Sequence, residues 1–200
     1  MIAGRRRWLA GLLVTFALLG SGCATTEQKP ATATTSSAAQ TELPRPLPAK
    51  TDESAAPVRV GIGGHTAPVD PVATDTTGTL LPPQDVSRLG WWVDSALPGS
   101  GVGTVVIAGH VDEATQGTGF AARFATIPVG SEVTVTSSSG TAVTYRITRI
   151  QKADKRSAFP AAELNRLDGA QTLALVTCGG RFVGPPLGYA DNVIAWGTPV

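Results

Sequence analysis

The sequence predicts a mainly β domain that starts near residue 57. Short runs of β-branched or alternating apolar residues recur from there to the end, and the chain is rich in glycine (23) and proline (15), which favour turns. The candidate strands cover residues 58–62, 78–83, 88–93, 103–110, 131–137, 141–150, 172–178 and 192–198. Eight short strands with turn residues between them fit a barrel or a sandwich.

Alternation within one of these runs supports the strand prediction. In the run 141–150, Val143, Tyr145 and Ile147 fall on one face and polar residues fall on the other, as in a half-buried strand. Helical signal is limited to 160–170 and, more weakly, to 119–127. Both segments are short, so we expect helices that connect strands and no helical layer.

Residues 1–22 read as an export signal or a membrane anchor. Three arginines at 5–7 precede an apolar stretch at 8–20, which is the order found in signal sequences. Small residues then lead to Cys23, which resembles a loose lipobox and predicts lipidation of that cysteine. An uncleaved anchor is the alternative, since no charge occurs from residue 8 to 26, and plain secretion is the third. Lipid or anchor would tether the protein to the outer face of the membrane.

Residues 23–56 are predicted to be a disordered linker. They consist mainly of Ala, Thr, Ser and Pro and lack the apolar content needed to offset the entropy of ordering. The whole chain has 16 basic and 15 acidic residues, so it has no basic excess to bind nucleic acid. Two cysteines and two histidines leave neither a disulfide scaffold nor the usual ligand set of a zinc site.

Two reactive side chains stand where apolar strands end. His110 closes the run 103–110, and Cys178 closes the run 172–178 ahead of two glycines. Strand ends fix the backbone while the following loop leaves room for a substrate. A thiol paired with an imidazole is a nucleophile with its base, because only the thiolate attacks carbonyls well. A cysteine at a strand end is also common as a small buried side chain, and spacing alone leaves both interpretations open.

The motifs VVIAGHVD (105–112) and LALVTCGG (173–180) resemble those of the sortases, cysteine transpeptidases of Gram-positive cell surfaces. The family pattern TLxTC reads ALVTC here, with Ala174 in place of the first threonine. The loop 109–135, the double glycine and the ending GYADNVIAWG (188–197) look most like the actinobacterial class F group. The resemblance covers residues 57–200.

This resemblance implies a closed eight-stranded β-barrel and a transpeptidation reaction. Cys178 would attack a carbonyl within a C-terminal sorting motif of the LPxTG type and hold the acyl fragment as a thioester. His110 would protonate the leaving amine and deprotonate the incoming one, which comes from a cell-wall precursor or a protein. The family needs no metal or organic cofactor, although calcium tunes some members, and we see no acidic cluster for it here. We expect a monomer.

One expected residue is missing. Sortases carry an arginine after the cysteine that orients the substrate and stabilises the oxyanion, and by offset it should fall at 187–191, where this chain has LGYAD. Arg181 is the only arginine after Cys178 and is the candidate for this role. Without a guanidinium, the oxyanion would depend on backbone N–H groups such as those of Gly179 and Gly180. Thr177 is a further candidate at the border of the site.

Two other functions remain open at this stage. Water could replace the amine and make the protein a thiol hydrolase. The missing arginine favours a different alternative, an idle surface module that binds an extended peptide without reacting. His65, in a glycine-flanked loop, lacks the motif context of His110, and we expect no catalytic role for it.

Overall fold

The computed structural model describes residues 55–157 and 159–200. The predicted signal or anchor at 1–22, Cys23 and nearly all of the predicted linker lie outside the described residues. Over the described residues, no helix has the length and apolar character required to cross a membrane.

The described part of the chain has ten strands and two short helices. The strands are β1 (Pro57–Ile62), β2 (His65–Val72), β3 (Leu89–Trp92), β4 (Thr104–Ala108), β5 (Asp112–Glu113), β6 (Gly117–Thr118), β7 (Glu132–Ser137), β8 (Ala142–Asp154), β9 (Thr172–Gly184) and β10 (Gly188–Pro199). The helices are α1 (Ala122–Thr126) and α2 (Ala161–Leu164), each shorter than the segment that predicted it.

Eight of the strands close into a barrel, which confirms the predicted fold class. Their order around the barrel is β1-β2-β3-β4-β9-β10-β8-β7, and β5 pairs with β6 in a separate two-stranded sheet. Most neighbours are antiparallel, but β2 with β3 and β4 with β9 run parallel. Because β4 and β9 are parallel neighbours, the residues that follow their apolar runs emerge at the same end of the barrel.

One predicted strand is absent and one barrel strand was not predicted, so the total of eight barrel strands still agrees. Residues 78–83 form no strand and contribute only an isolated bridge from Leu80 to Thr74. The strand β2 was missed because Pro68 and Pro71 interrupt its sequence, although its Ala67 and Val69 are buried in the barrel core. The short strands β5 and β6 were also unforeseen.

Three strands extend beyond the apolar runs that predicted them. β8 continues to Asp154, β9 continues past Cys178 to Gly184, and β10 begins at Gly188. In these extensions the strands pair with one another: Asp154 lies opposite Asp191, and Gly184 lies opposite Gly188. The candidate nucleophile therefore lies in the middle of a strand and not at its end.

Apolar side chains pack on both faces of the barrel wall. The inner cluster includes the fully buried residues Leu173 and Leu175 of β9. A smaller outer cluster contains Val106, Ala174, Ile194 and Trp196, with Leu164 of α2 packed against them. Alternation along β9 sends odd-numbered residues inward and even-numbered residues outward, so Cys178 belongs to the outer face.

Candidate active site

Cys178 is a half-buried free thiol on the outer face of β9. Its strand neighbour Thr177 is only 2% exposed, as the alternation requires. Across the strand pair, Cys178 lies opposite Asn192 of β10. Just before Cys178, the strand β9 is therefore paired with β10 on one side and with β4 on the other.

His110 lies at the level of Cys178 along the parallel pair β4 and β9. The register aligns Ala108 with Val176, and two hydrogen bonds carry the pairing further. The backbone N–H of Gly109 donates to the carbonyl of Val176 at 3.0 Å, and the Thr177 hydroxyl donates to the carbonyl of Gly109 at 2.9 Å. The backbone therefore brings the segment carrying His110 beside the residue carrying the thiol, 68 positions away in sequence.

Glycines are required on the histidine side of the site. A Cβ at Gly109 would lie 2.6 Å from Cδ2 of Leu89 and 2.8 Å from Cβ of Ala121, both fully buried residues. A Cβ at Gly119 would overlap the carbonyl oxygen of His110. These contacts leave no space for a methyl group, so the backbone on either side of His110 is packed as tightly as the core.

Lys155, which the sequence analysis did not single out, contacts the thiol. Its ammonium Nζ lies 3.4 Å from Sγ of Cys178 and donates to the carbonyl of Leu187 at 3.2 Å. Lys155 directly follows β8, and its backbone N–H donates to the carbonyl of Ala190 in β10 at 3.1 Å. No sequence motif marks this lysine. Its position depends on the register of β8 with β10, which brings it within reach of β9.

Arg181 lies in a bulge that the two glycines make possible. Between the pairs Gly179 to Asp191 and Phe182 to Tyr189, β9 has two residues where β10 has one. Gly180 has φ +76°, a left-handed conformation that suits glycine in such a bulge. The side chain of Arg181 is exposed and forms no hydrogen bond or ion pair with any described residue. Its assignment to the site stays a prediction.

A hydrogen bond joins the hairpin beyond Cys178 to the loop beyond His110. The Tyr189 hydroxyl donates to Oδ2 of Asp112 at 2.5 Å, and the ring of Tyr189 packs edge-on against Phe182, with 5.3 Å between ring centroids. This hydrogen bond raises the pKa of Tyr189, with smaller contributions from burial and from the charges of Asp112 and Cys178. The phenol therefore stays neutral near the thiol at physiological pH.

His65 lies away from these residues. It is exposed at the start of β2, beside a surface depression of about 430 Å³ that Ile62 and Arg123 also line and that contains neither Cys178 nor His110. Among residues 55–157 and 159–200, no group of three or more His, Cys, Asp or Glu side chains could hold a metal ion. The expectation of a metal-free reaction stays a prediction.

The family model described as a sortase domain matches residues 62–200 of this chain. This range includes every strand that lines the barrel except most of β1, and it contains both His110 and Cys178. Comparison with the curated proteins gives no match.

Solved sortase structures have a similar fold. Sortase C1 of Streptococcus agalactiae, in complex with MTSET, is 16% identical over 71% of this chain and 67% of its own, with a TM-score of 0.53. Sortase C-1 of Actinomyces oris is 19% identical over 71% and 70% (TM-score 0.54). A lid mutant of sortase A from Corynebacterium diphtheriae is 22% identical over 72% and 70% (TM-score 0.53). At these identities the likeness concerns the fold.

Proposed function

This chain belongs to the sortase family, and we propose that it is a cysteine transpeptidase with Cys178 as nucleophile and His110 as general acid and base. The observation that carries the proposal is the parallel pairing of β4 with β9, which brings the His110 segment level with the half-buried thiol. A nucleophile and a base must come within hydrogen-bond reach for this chemistry. Here the barrel register supplies the backbone placement that such reach requires.

The reaction runs in two balanced steps. The Cys178 thiolate attacks the carbonyl carbon of the scissile peptide bond, and the carbonyl electron pair moves to oxygen. When this intermediate collapses, the C–N bond breaks, the nitrogen leaves with a proton from the His110 imidazolium, and a thioester remains. In the second step an incoming amine gives a proton to the imidazole and attacks the thioester. A new amide forms, and thiolate and imidazolium are regenerated.

The substrate is proposed to be a surface-protein sorting signal of the LPxTG type, with an amine from a cell-wall precursor or a protein as acceptor. Val176 supports this choice, because it lies on the same face of β9 as the thiol and is partly exposed, so it offers apolar surface to the residues before the scissile bond. Gly179 and Gly180 are the proposed backbone donors to the oxyanion, and the buried Thr177 positions the Gly109 carbonyl and borders the site.

The proposal also includes three more specific assignments: the protein belongs to class F, it is a monomer, and a lipid on Cys23 or an uncleaved anchor holds it at the outer face of the membrane. Intact-mass measurement of the mature protein distinguishes the three predicted N-termini. A diacylglycerol on Cys23, an intact residue 1–22 segment and a plain cleaved terminus each give a different mass.

The proposal is tested with the full chain, an LPxTG-type peptide and a small amine, with products followed by mass spectrometry. We expect an acyl-enzyme on Cys178 and a new peptide amide. Cys178→Ala should abolish both, and His110→Ala should slow the reaction by about 10²–10⁴-fold. Cys23→Ser and His65→Ala are the matched controls, being the other cysteine and the other histidine of the chain, and should leave the rate unchanged.

The products also separate the two alternatives. A thiol hydrolase gives the same acyl-enzyme but releases the free acid even when amine is present. An idle peptide-binding module gives no acyl-enzyme, and a thiol-reactive analogue of the sorting peptide fails to label Cys178. Either result overturns the transpeptidase proposal.

A further inference from the structure

The contact between Lys155 and Cys178 is the one place where a described cation meets the candidate nucleophile. Nζ of Lys155 lies 3.4 Å from Sγ, and its other hydrogen bond goes to the carbonyl of Leu187 at 3.2 Å. The side chain is half-buried. The backbone N–H of Lys155 is bound to Ala190, so the lysine is held at both its ends.

No carboxylate neutralises this ammonium. The three ion pairs of the described residues are Arg88 with Asp70, Arg146 with Glu132, and Arg149 with Glu163, and Lys155 takes part in none of them. The adjacent Asp154 accepts the backbone N–H of Arg156 at 2.7 Å instead. The positive charge of Lys155 is therefore available to the sulfur.

Strand pairing and hydrogen bonding bring ionisable groups from neighbouring elements into the region of Cys178. His110 lies two residues beyond β4, and Tyr189 and Asp191 come from β10, where Asp191 pairs with the residue after the cysteine. Asp112 is held by the Tyr189 hydroxyl. Two carboxylates and a neutral phenol do not stabilise a negative charge on sulfur. The ammonium of Lys155 does stabilise such a charge.

We propose that Lys155 is the catalytic cation of this site. It stabilises the Cys178 thiolate and then donates to the oxygen of the substrate carbonyl as negative charge develops there. A hydrogen bond from a charged donor is about twice as strong as a neutral one. One ammonium can serve both anions. The oxyanion forms on the carbon that bonds to Sγ of Cys178, and the ammonium already contacts Sγ. The second part of this assignment rests on the proposed function, whereas the first does not.

The first part is tested without substrate, by the alkylation of Cys178 with iodoacetamide in the full chain. All variants carry Cys23→Ser, so that only one thiol reacts. Lys155→Met removes the charge and keeps the length of the side chain, and Lys155→Arg restores a charge. The matched control is Lys152→Met, an exposed lysine near the end of β8, three residues before Lys155. Arg181→Met tests the other candidate cation.

We expect Lys155→Met to slow alkylation at pH 7 by about 10-fold or more, the effect of losing an opposite charge within about 4–6 Å. The free energy of unfolding of Lys155→Met in urea should match that of the parent, which excludes misfolding as the cause of slower alkylation. Lys155→Arg should return most of the rate, and Lys152→Met should change little. Alkylation of Lys155→Met at the parent rate, or slowing by Arg181→Met alone, overturns the assignment.

In the transpeptidation assay, Lys155→Met should reduce kcat/KM by about 10²–10³-fold, as the loss of an oxyanion donor does elsewhere. The two experiments separate the two proposals. If Lys155→Met slows alkylation but the parent chain transfers no peptide, the role of Lys155 at the thiol stands and the transpeptidase proposal is refuted. Normal alkylation of Lys155→Met in an active enzyme refutes the role of Lys155 and leaves the enzyme.

Discussion

The strand β9 differs sharply on the two sides of Cys178. Before the cysteine it lies between β4 and β10, pairs with both, and buries Leu173 and Leu175 completely. Beyond the cysteine it pairs only with β10, passes through a bulge at Gly180, and leaves Phe182 62% exposed. The candidate nucleophile lies at the boundary between a packed barrel wall and an open hairpin.

The difference indicates a division of tasks. The packed side fixes the backbone of Cys178 against the His110 segment through pairing and tight glycine contacts. On the open side, Lys155 contacts the thiol and donates to the carbonyl of Leu187, and Tyr189 donates to Asp112. Stability should therefore be concentrated before the cysteine, and adjustment to a substrate should take place after it.

The largest difference in stability should come from truncating one apolar side chain on each half of β9. Leu175→Ala removes a fully buried side chain and should cost about 2–5 kcal/mol of unfolding free energy. Phe182→Ala, on the same strand but in the open hairpin, should change it by about 0.5 kcal/mol or less. Urea unfolding followed by fluorescence measures both. Similar losses for the two variants would show that the hairpin is as firmly packed as the barrel.

A smaller effect on stability should follow from adding a methyl group to one glycine on each side. Gly109→Ala forces a Cβ against Leu89 and Ala121 and should cost about 1–3 kcal/mol. Because the shift passes to His110, it should also slow transpeptidation by about 100-fold. Gly184→Ala meets no neighbour but has φ +83°, and should cost about 1–2 kcal/mol by strain alone.

Activity distinguishes these two glycine variants. Gly184→Ala should retain nearly the full rate of the parent, since its strain lies in the open hairpin. A full rate in Gly109→Ala would contradict the view that close packing positions the histidine. Unfolding curves on both variants check that any lost activity comes from folded protein.

The packed side of the site could largely be predicted from sequence, and the open side could not. His110 and Cys178 stood out because each ends an apolar run, and burial of such runs is a local property of sequence. Lys155 lies in the segment QKADKRS, which has no apolar pattern to mark it. Its contact with the thiol follows from the register of β8 on β10 and of β10 on β9, which no single segment encodes.

The strand errors have the same physical origin. The continuation of β9 reads GGRFVG, where two glycines interrupt the alternation, and the strand continues because a bulge accommodates Gly180. The prolines of β2 hid its two buried residues, Ala67 and Val69, in a similar way. In each case pairing with a neighbouring strand outweighs weak local preference.

The smallest predicted effect is a difference in titration that concerns the only two tyrosines of the chain and is absent at neutral pH. Burial in the barrel raises the pKa of Tyr145 from 10.0 to about 12, and the hydrogen bond to Asp112 raises the pKa of Tyr189 in the hairpin. We therefore expect the absorbance of phenolate at 295 nm to show no tyrosine with the ordinary midpoint. Tyr189→Phe should leave one transition near pH 12.

Stability should follow the same titration, because a folded-state pKa above the unfolded one favours folding only while the phenol is protonated. The contribution of Tyr145 is complete below about pH 10, the ordinary value, and is lost as the pH rises through about 12. The parent and Tyr189→Phe should both lose stability over this range, whereas Tyr145→Phe should lose less. If Tyr145 instead titrates near 10 in the folded protein, water reaches the barrel interior, and the contrast between a packed wall and an open hairpin fails at its packed side.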